Sequence, residues 1–274
     1  MSTSTPIAID TDRPGVPFGR LSKVEIRKML DTRAGRWLLI VTGLLLALTM
    51  GIILLVIGLN EDLTIGAKGF SDAMVIPLSI LLPVFAITTV TGEWGQRTHL
   101  VSFTLEPRRL RVVAAKLVAV LALALATIVV ALIFGALGNL LAASVGGYDP
   151  IWNLDVSDLL WTIGLQLAFF AMAFALAMLF LSTPVAVVVF YAVALILPQM
   201  VYSILYGVFD WARDLIPWVD MNYAAVPLMT GQGMMGESVD VGALEWVRFV
   251  VTLVLWIAVP AAVGLRRIAR SEVK

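Results

Sequence analysis

Six long apolar runs follow one another along the chain, and this succession constrains the fold more than any other feature. A helix needs about 20 apolar residues to cross the ~30 Å hydrocarbon core of a bilayer. The runs do not alternate between apolar and polar residues, as the strands of a membrane barrel would. We therefore predict an all-α polytopic membrane protein with six transmembrane helices, at about residues 37–59, 73–92, 112–143, 159–181, 185–205 and 244–265.

The composition agrees with a membrane protein. Hydrophobic residues make up 60% of the chain and charged residues only 14%, against about 25% charged residues in an average soluble domain. The chain has no cysteine, which excludes disulfides and thiolate metal sites. Its net charge of +0 gives no support for binding to nucleic acid, which needs a concentrated basic face.

The basic residues divide unequally between the two sides of the predicted membrane domain. Seven precede the first run, five lie in or just after the connection between the second and third runs, and four follow the last run. The opposite side holds only Lys68, Arg213 and Arg248. By the positive-inside rule both termini are cytoplasmic and the protein lies in the cell membrane. Residues 1–36 then form a cytoplasmic N-terminal segment and residues 266–274 a cytoplasmic tail around a membrane domain at 37–265.

Two connections between the runs differ in character. Ser182, Thr183 and Pro184 form so short a turn that the fourth and fifth helices must be antiparallel neighbours. Residues 206–243 contain several tryptophans and tyrosines with scattered prolines and glycines. Aromatic residues with polar tips favour the headgroup level of a membrane, so this segment is predicted to dip into the outer interface or to form an ordinary extracellular loop.

An amphipathic pattern precedes the first run. Lys23, Arg27 and Asp31 fall on one side of a helix, whereas Val24 and Glu25 depart from the pattern. We predict an interfacial helix in this segment. The alternative is a solvated basic tail that only fixes the topology. The apolar face of the predicted helix consists of Phe18, Leu21, Ile26, Met29 and Leu30.

Several kinds of chemistry are not supported by the sequence. The interiors of the predicted spans hold no ionisable residue, although ion-coupled carriers usually keep some there. The single histidine, His99, has no metal-ligand partner at suitable spacing, and no nucleophile lies with a base. The chain also lacks the glycine-rich loop with lysine that binds nucleotide phosphates. We predict that the chain is not an enzyme, holds no cofactor, and leaves any nucleotide chemistry to a partner.

The polar segment at residues 93–116 is where we expect function to enter. Thr98 is a suitable N-cap for a short helix at 99–105, and Pro107 disfavours helical backbone at the residue before it. Leu100, Phe103 and Leu105 are available to dock on another protein. Arg109 falls at the membrane surface, and Lys116 is expected to extend to the interface from the third helix. The alternative is a basic segment that only anchors the topology.

This segment resembles a known family. Glu93, Arg97, Thr98, Pro107, Arg109 and Lys116 are similar to the E-x-x-x-[GR]-T … P-x-R … K pattern of type-2 ABC exporter permeases, especially the actinobacterial type. The resemblance implies a second permease copy, identical or different, and separate ABC ATP-binding subunits that carry ATP and Mg. It also implies a coupling helix that docks on the ATPase subunit, shaped or flanked by Glu93, Arg97, Thr98, Leu100, Phe103, Leu105, Pro107, Arg109 and Lys116.

The expected function is therefore that of a permease subunit that moves an amphiphilic or apolar substrate, such as a drug, lipid or peptide, out of the cell. Two alternatives from other classes stay open at this point. One is a non-transporting membrane scaffold or sensor that recruits a cytoplasmic partner. The other is an ion-coupled secondary transporter.

Overall fold

A computed structural model describes residues 16–60, 62–95 and 108–270. The described chain is helical and contains no strand. Six of its helices, α2 to α6 and α9, are long and apolar enough to cross a membrane, which confirms the predicted all-α polytopic fold. The helices are α1 (Phe18–Asp31), α2 (Arg33–Leu59), α3 (Ala67–Gly95), α4 (Arg109–Gly146), α5 (Val156–Phe180), α6 (Thr183–Val208), α7 (Asp210–Leu215), α8 (Met221–Thr230) and α9 (Ala243–Arg270).

The long helices alternate in direction, so the bundle has two distinct ends. At one end, which we call the basic end, the start of α4 approaches both α1 and the last turn of α9, through Lys116 and Arg109. At the opposite end, which we call the acidic end, Lys68 at the start of α3 bonds to Asp158 at the start of α5. The first and last described helices thus both contact the basic end.

Helices α3 and α5 form the centre of the bundle. Half of the apolar window of each is buried within the chain, compared with 17% for α2, α6 and α9. Leu82 of α3 and Phe174 of α5 are among the fully enclosed side chains. Leu44 and Leu55 of α2 are more than half exposed, which suits a surface that contacts lipid acyl chains. The outer helices therefore surround a two-helix core.

The predicted tight turn between the fourth and fifth spans is confirmed. Helix α5 ends at Phe180, and Leu181 adopts a left-handed conformation with φ of 53°, which reverses the chain. Pro184 lies in the first turn of α6, where its missing N–H leaves no bond unmade. The Thr183 hydroxyl lies 2.6 Å from that of Thr91, so the turn is fastened to the end of α3 at the basic end.

Two spans contain π-helical stretches that the hydropathy pattern does not predict. They cover Ala192–Tyr202 in α6 and Val254–Ala258 in α9. Pro198 lies inside the first stretch and removes one backbone donor. Just before that stretch, the Tyr191 hydroxyl donates to the carbonyl of Ile80 on α3. This bond attaches α6 to α3 next to the irregular stretch.

The segment between α6 and α9 is folded back onto the bundle. It contains α7, a 3₁₀ turn at Ile216–Trp218 and α8, followed by a bridge between Gln232 and Ser238. The indole of Trp256 on α9 donates to the carbonyl of Val219 at 2.6 Å, and Met221 belongs to the main core. Residues 206–243 thus form a helical cap packed against α9.

Candidate functional site

Four charged side chains from three helices meet at the basic end. Lys116 of α4 lies 2.7 Å from Glu25 of α1 and 2.7 Å from Glu93 at the end of α3. Lys28 of α1 contacts the same two carboxylates, at 2.8 Å from Glu25 and 3.0 Å from Glu93. We call Glu25, Lys28, Glu93 and Lys116 the charge cluster. It joins α1 to both helices that flank residues 96–107.

The charge cluster is largely buried and its formal charges sum to zero. The side chains of Lys116 and Glu25 are only 8% and 7% exposed, while Lys28 is 45% exposed and closes the cluster toward its outer side. A buried ion pair adds little to stability compared with an apolar pair, but removal of one partner is costly because the other charge stays buried. The cluster therefore fixes the position of α1 more strongly than surface ion pairs would.

The protonation of Lys28 reflects this environment. Burial by itself lowers the pKa of its ammonium, but the bonds and charges of Glu25 and Glu93 outweigh burial and raise the pKa above its ordinary value. Lys28 is therefore charged throughout the physiological range. Lys28 and Lys116 each bond to both carboxylates, so the four side chains form a ring of alternating charges.

One face of α1 packs against the bundle. Ser22, Glu25 and Met29, at spacings of three and four residues, are the buried positions of this helix. Leu21 and Ile26 are half-buried beside them. Phe18 and Leu30, the outer members of the predicted apolar face, are exposed, and their contact with a membrane interface stays a prediction. Glu25 departs from the apolar pattern because it faces a buried ammonium.

Lys116 lies in a different environment from the one expected. We expected its ammonium to extend along the helix to the membrane interface, but the whole residue is buried and its charge is met by two carboxylates. A lysine one or two turns inside a membrane helix can reach water by extending its stem. Here Glu25, which lies 91 positions earlier in the chain, provides a nearer partner.

The last turns of α9 are attached to the same end of the bundle. Arg109 at the start of α4 donates to the carbonyl of Ile268 at 3.0 Å. Arg267 donates to the carbonyl of Leu179 at 2.7 Å, in the last turn of α5. Gly264 lies so close to α5 that a Cβ atom there would be 2.7 Å from the backbone carbonyl carbon of Met178. Helix α9 is thus fastened to both α4 and α5.

A small cavity is lined by members of the charge cluster and by the end of α9. Its walls include Glu93, Lys116, Trp94, Phe174 and Ile268. The volume is about 20 Å³, which is enough for one water molecule and far too small for an organic substrate. The charge cluster and the end of α9 therefore line the same cavity.

The predicted coupling residues divide into two groups. Glu93, Arg109 and Lys116 are described, and the structure places all of them at the basic end, where Glu93 and Lys116 are in direct contact. The other predicted residues of this group lie outside the described part of the chain, namely Arg97, Thr98, Leu100, Phe103, Leu105 and Pro107. The short helix expected at 99–105 stays a prediction.

The sequence reasoning missed Glu25 and Lys28 as members of the site. A signal was available, because an acid on the buried face of an amphipathic helix needs a cation to pair with it. The partner could not be named from sequence, since Lys116 and several arginines were all candidates. Across 16–60, 62–95 and 108–270, no group of three or more histidine, cysteine, aspartate or glutamate residues could hold a metal ion.

The chain was also compared with known proteins. No protein family matches it, and no curated protein is significantly similar.

Proposed function

We propose that this chain is the transmembrane permease subunit of an ABC exporter, which moves an amphiphilic or apolar substrate outward with energy from separate ATP-binding subunits. One observation carries the proposal. The two helices that flank residues 96–107 both join the charge cluster, through Glu93 and Lys116, and the second also contacts α9 through Arg109. A partner bound at residues 96–107 would therefore act on four helices together.

The physical chemistry of the charge cluster supports transmission of such a force. Displacement of α3 or α4 without α1 would separate Glu93 or Lys116 from its buried partners, which is costly at low local dielectric. Movement of α1 together with both helices keeps the pairs intact. The cluster thus favours motion of α1, α3 and α4 as one body over independent motion.

The lack of charged residues in the middle of the spans favours energy supplied by a partner protein over coupling to an ion gradient. The middle of each of the six spans holds no aspartate, glutamate, lysine, arginine or histidine. An ion-coupled carrier usually needs such groups near the midplane to bind its ion. A path free of charge suits an apolar or amphiphilic substrate, and hydrolysis of ATP by a partner with bound Mg would supply the work.

The proposed orientation places the basic end in the cytoplasm. The excess of lysine and arginine on that side follows the positive-inside rule. Residues 96–107 then face a cytoplasmic ATP-binding subunit, and the helical cap of α7 and α8 faces outward. Both termini are cytoplasmic in this arrangement, and the membrane is the cell membrane.

A second permease copy has a suitable surface on α2. Gly43, Ala47 and Gly51 are exposed at four-residue spacing, and a Cβ atom at Gly43 or Gly51 would meet nothing within 4 Å. Rows of small residues let another helix approach closely in a membrane. We therefore place the contact with a second copy, identical or different, along this face of α2.

The decisive experiment is to purify the tagged chain, identify any ATP-binding protein that accompanies it, and reconstitute both in vesicles. We expect Phe103→Glu and Arg109→Glu to abolish stimulation of the ATPase and substrate efflux, while Arg266→Glu, at an exposed position of the same end, leaves both unchanged. Full activity of the first two variants would overturn the coupling assignment.

Two further outcomes separate the alternatives. Partner binding without any nucleotide turnover would favour a scaffold or sensor. Transport that persists when the partner's ATPase is inactivated, and that stops when the ion gradient is removed, would favour a secondary transporter.

A further inference from the structure

Arg248, in the second turn of α9, has an unusual environment at the acidic end. Its guanidinium carbon lies 5.7 Å from the centre of the Trp218 ring, and its side chain is 18% exposed. The buried Nε atom has no hydrogen-bond partner among the described residues. The nearest carboxylate is that of Glu245, at 3.8 Å. A buried cationic donor without a hydrogen bond is costly.

The other cations of the acidic end are better satisfied. Lys68 lies 2.6 Å from the Asp158 carboxylate. Arg213 donates from Nε to the carbonyl of Tyr206 at 3.0 Å and also faces Asp210. The Glu245 carboxylate beside Arg248 is itself engaged, because its other oxygen accepts from the Gly242 backbone at 2.8 Å. Among the described cations of the acidic end, Arg248 thus has the weakest hydrogen-bond acceptors.

Two further tryptophans lie near the start of α9. Trp161 packs against Trp246 with ring centres 5.9 Å apart, and Trp246 is 51% exposed. Arg248 and Trp161 each lie five residues inside the start of a long helix, or roughly 7.5 Å along its axis. Tryptophan concentrates at membrane interfaces, where its ring is apolar and its N–H can bond to headgroups or water.

We propose that Arg248 and Trp218 form a binding site for the phosphate of an anionic phospholipid in the leaflet at the acidic end. The planar guanidinium can hold two phosphate oxygens with parallel bonds, which a lysine cannot do. The first turn of α9 adds the positive end of its dipole. The site does not depend on transport activity.

The test compares lipid binding by the full-length protein in detergent, by native mass spectrometry and by thermal stability. The probes are phosphatidylglycerol, phosphatidylcholine and inorganic phosphate at equal concentrations. We expect the wild-type chain to bind phosphatidylglycerol about fivefold more tightly than phosphatidylcholine, the preference that one basic residue near a membrane surface supplies. Arg248→Gln should lose this preference. Arg213→Gln, which removes a satisfied cation of the same end, should keep it.

Each outcome decides the proposal. An unchanged preference in Arg248→Gln, or equal stabilisation by inorganic phosphate and by phosphatidylglycerol, would overturn it. If Arg248→Gln does not fold, a second measurement takes the place of the variant. It follows the quenching of tryptophan fluorescence in the wild-type chain by lipids brominated near the headgroup. Brominated phosphatidylglycerol should then quench more strongly than the brominated phosphatidylcholine, and equal quenching would contradict the site.

Discussion

The ammonium of Lys116 lies 2.7 Å from the carboxylate of Glu25, although Lys116 belongs to the long apolar helix α4 and Glu25 to the amphipathic helix α1. Both side chains are more than nine-tenths buried. This pair makes α1 part of the bundle. A helix that merely floated on the membrane surface would keep its charges in water.

Replacement of Lys116 by methionine should strongly destabilise the protein. The substitution removes the ammonium between Glu25 and Glu93 and leaves two buried carboxylates with only Lys28 beside them. Loss of one partner from a buried ion pair typically costs about 3–5 kcal/mol. Thermal unfolding in detergent measures the loss. Lys23→Met, at an exposed position of α1, is the matched control and should change stability little.

A double-mutant cycle should reveal the coupling between the same two residues. We expect Glu25→Gln combined with Lys116→Gln to destabilise the protein less than the sum of the two single changes. Each single change leaves one buried charge without its partner, whereas the double variant removes both charges of the pair. Coupling energies between residues in contact are about 0.5–3 kcal/mol. Additive effects would show that the pair is not formed in the membrane.

Asp220 should make stability depend on pH. Its carboxylate caps α8 by accepting from the backbone of Asn222 and Tyr223 at 2.9 and 3.0 Å. Burial raises the pKa of Asp220 to about 6, although those two bonds oppose the shift. Tyr202 and Tyr223 are the titratable groups that feel its charge; burial raises the pKa of Tyr223, so it stays neutral here.

The direction of this pH dependence follows from the number of protons that each state binds. Between the ordinary value of 3.8 and about 6, the folded state binds more protons at Asp220 than the unfolded state does, so stability rises as the pH falls through this window. We expect Asp220→Asn, which keeps a capping oxygen, to be more stable than wild type at pH 7 by an amount on the order of 3 kcal/mol. This advantage should shrink toward pH 4. Unfolding measured from pH 4 to 7.5 checks it, and parallel profiles would contradict the assignment.

Gly264→Ala should separate α9 from α5. The added Cβ would be 2.6 Å from the Met178 Cβ and 2.7 Å from its carbonyl carbon, so backbone must move. Overpacking of this kind typically costs about 1–3 kcal/mol. Gly164→Ala is the control, because a Cβ there meets nothing within 4 Å and alanine favours a helix by up to about 1 kcal/mol. Equal stability of the two variants would contradict the close approach.

Arg267→Gln should weaken the end of α5. The guanidinium donates to the carbonyls of Leu179 and Phe180, which have no partners in the next turn of the helix. We expect a loss of about 1 kcal/mol in the free energy of unfolding. Arg266→Gln changes the neighbouring exposed arginine and should have no such effect. Hydrogen exchange at residues 177–183 would locate the loss.

The sequence predicts the spans well because the bilayer imposes one requirement on every residue of a span. A run such as 37–59 is apolar throughout, so its role does not depend on distant contacts. The turn at Leu181 was likewise predictable, since no bilayer fits a helix that joins both runs. Local composition decides these features.

The charge cluster could not be predicted in the same way. Glu25 looked like an error in the apolar face because its partner is 91 positions away in the chain. The π-helical stretch at Ala192–Tyr202 has no marker other than Pro198, and the prolines of α3 do not produce one. These features depend on how helices meet, which composition does not record.

The bond between Arg109 and Ile268 bears on the order of assembly during synthesis. Arg109 leaves the ribosome early, but the carbonyl that it binds does not exist until the sixth span is almost made. The contacts of Lys116 with Glu25 and Glu93 can form much sooner, because all three residues precede the fourth span. The half of the basic end built by α1, α3 and α4 can therefore be inserted and paired first, and α9 closes the structure last.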